Sequence, residues 1–134
     1  MNQALREFVM PELKSLGFKG SFPHFRRLRG EVTEMLAFQF NKYGGSFTIE
    51  AATLSAQEAS AHWKADLSVN KATVYDASNR IRLHSSQPDK WFGFTGESDL
   101  KHVAQAALHV IENDGLSFWL RFNPSFHPTG FGGR

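Results

Sequence analysis

Glu31–Leu54 reads EVTEMLAFQFNKYGGSFTIEAATL, and the reading of this stretch decides the fold. Two runs of alternating apolar and polar residues flank Gly44-Gly45, the pattern of a β-hairpin. A Gly-Gly loop supplies the positive φ angles required by hairpin turns that match strand twist. With Tyr43 set opposite Ser46, Phe40 lies across from Ile49, Phe38 from Ala51 and Leu36 from Thr53. The other face then carries Gln39 opposite Glu50 and Asn41 opposite Thr48. Apolar residues fall on one side and polar ones on the other, as a half-buried antiparallel pair requires. A one-residue slip would turn Phe38 and Phe40 out to water, so the register is well specified.

Toward the N-terminus, Leu5, Phe8, Val9, Leu13 and Leu16 recur at helical spacing, which predicts a helix over Asn2–Leu16. Gly17 is placed as its stop, with Phe18 packing back on the last turn. Pro11 predicts a kink or a restart of the helix. Gly20 and Pro23 break any further helix, and Phe25–Arg29 reads as a short strand entering the hairpin through Gly30. Phe25 and Leu28 of this strand are expected to face inward.

On the C-terminal side, Gln57–Ala65 suits a short helix anchored by Trp63, and Leu67–Tyr75 suits a strand. Arg80–His84 alternates, with Ile81 and Leu83 pointing one way and Arg80, Arg82 and His84 the other. Trp91, Phe92 and Phe94 return to the core. Ser98–Asn113 is the clearest helix, with Ser98 as its N-terminal cap and Asp99 complementing the dipole. Leu100, Val103, Ala104, Ala107, Leu108 and Ile111 form its apolar stripe, and Gly115 ends it. Leu116–Phe122 then caps the core with Trp119. The expected organisation is one α+β domain over residues 1–122 and a loosely held Pro/Gly-rich tail over 123–134. In it, an antiparallel sheet of four to six strands has the N- and C-terminal helices packed on one face.

The order of several short features resembles a bacterial domain family labelled domain of unknown function 4304. They are Leu16-Gly17-Phe18-Lys19, Phe25-Arg26-Arg27, Phe38-Gln39, Phe47-Thr48, Arg80-Ile81, Asp89-Lys90-Trp91-Phe92 and Asp99-Leu100. The likeness spans roughly Leu5 to Ile111. It implies a small α+β domain and brings with it no established activity, cofactor or catalytic residue.

Composition narrows the function. The 134 residues suffice for one core without staples, and zero cysteines exclude disulfides, thiolate metal sites and thiol nucleophiles. That suits a reducing compartment, and the expected setting is the bacterial cytoplasm. No apolar run approaches the roughly 20 residues of a membrane helix, and MNQALREFVM lacks the layout of a secretory signal. Fifteen Lys plus Arg against 13 Asp plus Glu leave a net charge of only +2, too mild to argue for nucleic acid by charge alone. GxSxG and GxxxxGK[ST] motifs are missing, which weighs against an enzyme. The six histidines (His24, His62, His84, His102, His109 and His127) show no metal-ligand spacing. His102 and His109 stand about 10 Å apart along one helix. No metal and no cofactor is expected.

Three candidate sites remain. Arg80 and Arg82 share one strand face about 7 Å apart, a spacing suited to gripping a carboxylate or phosphate. With Gln39, Glu50 and His84 they make a polar, arginine-bearing sheet face. Its leading use is as the contact surface of a non-enzymatic binding or adaptor module, of which an immunity-type protein is one form. The second site is the basic-aromatic run of Lys19, Phe25, Arg26, Arg27 and Arg29, which interleaves base-stacking and phosphate-holding residues as single-strand binders do. The third is an enzyme centre assembled by the fold around His84, Arg80 and Glu50. Oligomeric state is left open by all three.

Overall fold

A computed structural model describes residues 1–55, 57, 72–83 and 90–122. The elements in chain order are α1 (Asn2–Phe8), α2 (Met10–Ser15), β1 (His24–Arg29), β2 (Val32–Phe40), β3 (Ser46–Ser55), β4 (Asn79–Arg82), β5 (Phe92–Gly93), α3 (Glu97–Val110) and α4 (Leu116–Phe122). The strands form one antiparallel five-stranded sheet in the order β1-β2-β3-β4, with β5 also pairing with β3. This is the expected α+β architecture. The tail, all of Gln57–Ala65 beyond its first residue (Trp63 included), and most of Leu67–Tyr75 lie outside the described residues.

The N-terminal helix restarts before Pro11, which occupies the first turn of α2, where its missing N–H costs nothing. α2 ends as its sequence implies. The Phe18 N–H donates to Leu13 O and the Gly17 N–H to Lys14 O, with Gly17 at φ +96°. This closing motif turns Phe18 back into the core.

The hairpin register differs from expectation by two residues. Phe38 faces Ile49, Leu36 faces Ala51 and Phe40 faces Phe47. The cause is a longer connection than a two-residue Gly-Gly loop. The Asn41 N–H donates to Ser46 O, closing the ladder, while Asn41 Oδ1 accepts the Tyr43 N–H at 2.9 Å. The side chain thus builds its own turn, and Gly44 and Gly45, both at positive φ, complete the return. A shift of two preserves the side-chain faces, so Phe38, Phe40 and Ile49 still point to the helices.

Two cores result. The larger lies between the helices and one sheet face, and includes Leu5, Leu13, Phe18, Phe25, Leu36, Phe38, Phe47, Ile49, Leu83, Ile111, Phe118 and Trp119. Phe47 stacks on Phe92 at 5.2 Å between ring centroids. The smaller lies on the opposite face, where Ala72, Val74 and Ala77 cover Met35, Ala37, Ala52 and Leu54. The second face is therefore partly covered by this segment. Within Leu67–Tyr75, the described end is not strand, because Val74–Asp76 forms one 3-10 turn.

Three local expectations also change. Leu28 is 71 % exposed, since residues 25 and 28 have opposite parity on a strand and Phe25 takes the buried side. α3 begins at Glu97, so Ser98 lies inside it. Its entry is held instead by the Asp99 carboxylate, which accepts from Thr95 N–H and Oγ1 at 3.2 and 2.6 Å. Those two hydrogen bonds, the hydroxyl's first, lower the Asp99 pKa. Gly115 does not end the helix: Ile111–Gly115 forms a π-helical segment that runs into α4. A Cβ on Gly115 would sit 3.1 Å from the Trp119 ring, so the missing side chain is what admits the indole.

Candidate functional site

Register alone places the polar groups of the second face. Glu50 on β3 faces Arg82 on β4 and Ala37 on β2, and Ala37 faces His24 on β1. One step along, Arg26, Met35, Ala52 and Arg80 form the parallel row, and Gln39 faces Thr48 on the other side. Arg80, Arg82, Gln39 and Glu50 therefore share one face, as the alternation of their strands implies. His84 lies outside the described residues.

The segment crossing this face is pinned at its start, because the Arg26 guanidinium donates twice to Ala72 O at 3.1 and 3.3 Å. Thr73 and Asp76 then cap the 3-10 turn reciprocally: Asp76 Oδ2 accepts the Thr73 N–H at 2.8 Å and Thr73 Oγ1 accepts the Tyr75 N–H. That turn holds the Tyr75 ring between His24, 6.2 Å away edge to face, and Arg80, whose guanidinium carbon lies 5.3 Å from the ring centre. Burial raises the Tyr75 pKa, and the Glu50 carboxylate adds to the rise, while Arg80 and Arg82 oppose it.

Glu50 is the hub. Its side chain is 8 % exposed, with Arg80 Nε at 3.5 Å and Arg82 Nε at 3.8 Å. Each arginine remains 40 % exposed and lies against a ring, Arg80 on Tyr75 and Arg82 on Trp91 at 5.4 Å. Trp91 is half-buried on this rim, where a core position was expected. One acid between two guanidiniums leaves a local positive excess. Among the described residues, Thr48 Oγ1 and His24 Nδ1 are buried on the same face without a hydrogen-bond partner. The arrangement suits charge-assisted hydrogen bonds to a carboxylate or phosphate.

The basic-aromatic run is divided by the sheet. Phe25 is in the helix-side core, and Arg27, 4 % exposed, points the same way. Arg27 Nε and Nη2 contact Glu34 Oε1 at 2.9 and 2.7 Å, Nη1 donates to Leu16 O, and the guanidinium lies 4.3 Å from the Phe18 ring centre. Arg29 approaches Glu34 at 3.9 Å, Arg26 holds Ala72 on the opposite face, and Lys19 is exposed beside β1. Neither Phe25 nor Arg27 is on the surface to meet a nucleotide.

The sequence profile of the family described as Domain of unknown function (DUF4304) matches residues 9–121. The chain belongs to that family. No curated protein and no solved structure matches it. Among the described residues of this DUF4304 domain, no helix is long and apolar enough to cross a membrane.

In the DUF4304 domain, sequence reasoning missed Tyr75, Trp91 and the Arg27–Glu34 pair. Only the last left a signal. A two-residue Gly30-Glu31 connection between β1 and β2 places Arg27 opposite Glu34.

Proposed function

We propose that this DUF4304 domain is a non-enzymatic binding or adaptor module that engages another protein through the Arg80–Glu50–Arg82 face. The observation that carries the reading is the pair of half-exposed guanidiniums held by one buried carboxylate and backed by Tyr75 and Trp91. Arginine and large aromatic residues dominate protein interfaces energetically. A guanidinium already stacked and ion-paired loses little freedom on meeting a partner. The local positive excess calls for an acidic patch on that partner. Neutralising an acidic protein toxin in the bacterial cytoplasm is one concrete form of this role.

The test is a tagged pull-down, with and without nuclease, repeated with the Arg80→Ala/Arg82→Ala double variant. A protein partner retained after nuclease should be lost by the variant. Its melting temperature should fall, because Glu50 is left buried without an opposite charge, and adding Glu50→Gln should restore most of the loss while partner capture stays abolished. Undiminished capture by the folded variant would remove this face from consideration. A partner released by nuclease would point to nucleic acid instead.

A further inference from the structure

The two edges of the sheet are finished differently. Along β1, the outward backbone is already occupied: Arg26 exchanges two 2.8 Å hydrogen bonds with Lys19, and the His24 N–H donates to Ser21 O. Along β4, no outward strand pairing is present among the described residues. The Leu83 N–H donates to Ile49 O, and Arg82 lies opposite Glu50. In an antiparallel ladder, alternate residues turn toward the neighbouring strand, so Ile81 bonds to β3 while the N–H and C=O groups of Arg80 and Arg82 point away from it. All four β4 residues are exposed. Sheet edges of this kind accept an extended segment as an added strand.

We infer that β4 is a docking edge that accepts an extended acidic segment of the partner as a sixth, antiparallel strand. This rests on the adaptor reading above and specifies how the partner is held. Charge selects the occupant. Both arginine side chains flank the outward backbone on the polar face, so the added strand carries acids at two alternate positions, facing Arg80 and Arg82. The residue between those acids turns to the helix side beside Ile81, itself 36 % exposed, and is apolar. A second copy of this chain fits poorly. Pairing two β4 strands about Ile81 sets Arg80 against Arg82 of the other copy, and like charges directly opposite are destabilising.

The experiment uses the full chain and a capped peptide of pattern Thr-Glu-Val-Glu-Thr. Binding should slow hydrogen exchange at the Arg80 and Arg82 amides. N-methylation of both glutamates, whose N–H groups would face β4, should weaken binding about tenfold. N-methylation of the valine, which faces away, should leave it unchanged. The same peptide with lysines for glutamates should not bind. Acidic-peptide binding that ignores glutamate N-methylation would overturn strand addition while leaving the arginine face as a site. Absence of peptide binding at millimolar concentration would also overturn it. So would a dimer of the free protein whose Arg80 and Arg82 amides are already protected. The adaptor reading falls separately, if the natural partner ignores the Arg80→Ala/Arg82→Ala change.

Discussion

Arg27 shows how much one side chain can join. Its guanidinium ties the end of α2 at Leu16 to β2 at Glu34 and lies under Phe18 and Trp119. Burial lowers its pKa, and the Glu34 carboxylate pulls it back up. Replacing Arg27 by Met strands a buried carboxylate, and urea unfolding should show a loss of about 3–5 kcal/mol. The double change Arg27→Met/Glu34→Leu should recover much of that loss. A double variant as unstable as the sum of the two singles would mean the pair is not coupled. His24 gives a pH counterpart. Burial first, and Arg26 second, hold its imidazole below the ordinary value. On acidification the unfolded chain therefore takes up a proton before the folded one. Stability owed to neutral His24 is complete above about pH 6.5 and declines below it, until the folded imidazole also protonates. Denaturation midpoints measured down to pH 5 should fall less steeply in His24→Gln than in the parent.

At the scale of elements, the connections carry more information than the strands. Gly20 stands at φ +127°, and a Cβ there would lie 2.4 Å from the His24 carbonyl oxygen; at Gly44, φ +83°, nothing lies within 4 Å. Both Gly→Ala changes should destabilise, Gly44→Ala by about 1 kcal/mol and Gly20→Ala by more, since the clash is with backbone. Equal losses in thermal unfolding would mean that the 19–21 segment yields without cost. Alternating residues made the faces of β2, β3 and β4 legible, because period two survives any shift of two. The register was not legible, because it hung on whether Gly44-Gly45 or the Asn41 side chain builds the turn. α3 was readable from its stripe. Its passage through Gly115 was not, since a glycine after an apolar run has the local signature of a stop. Here its bare backbone makes room for a ring four residues on.

For the whole molecule, β2 and β3 are sandwiched between two cores while β4 stands at the rim. Native-state hydrogen exchange should be slowest at Leu36–Phe38 and Ile49–Ala52, opening only with global unfolding, and fastest within the sheet at Arg80 and Arg82. Uniform protection across all strands would contradict that layering. The site was half legible in the sequence. Parity put Arg80, Arg82, Gln39 and Glu50 on one side, but Tyr75 and Trp91 arrive from segments whose placement depends on closure of the whole fold. Closure also has an order in time. A ribosome makes the chain from its N-terminal end onward, so Arg27 and Glu34 emerge long before Trp119, which helps to roof them. Until that indole is made, the guanidinium keeps access to water, and sealing the charged pair is a late event for a growing chain.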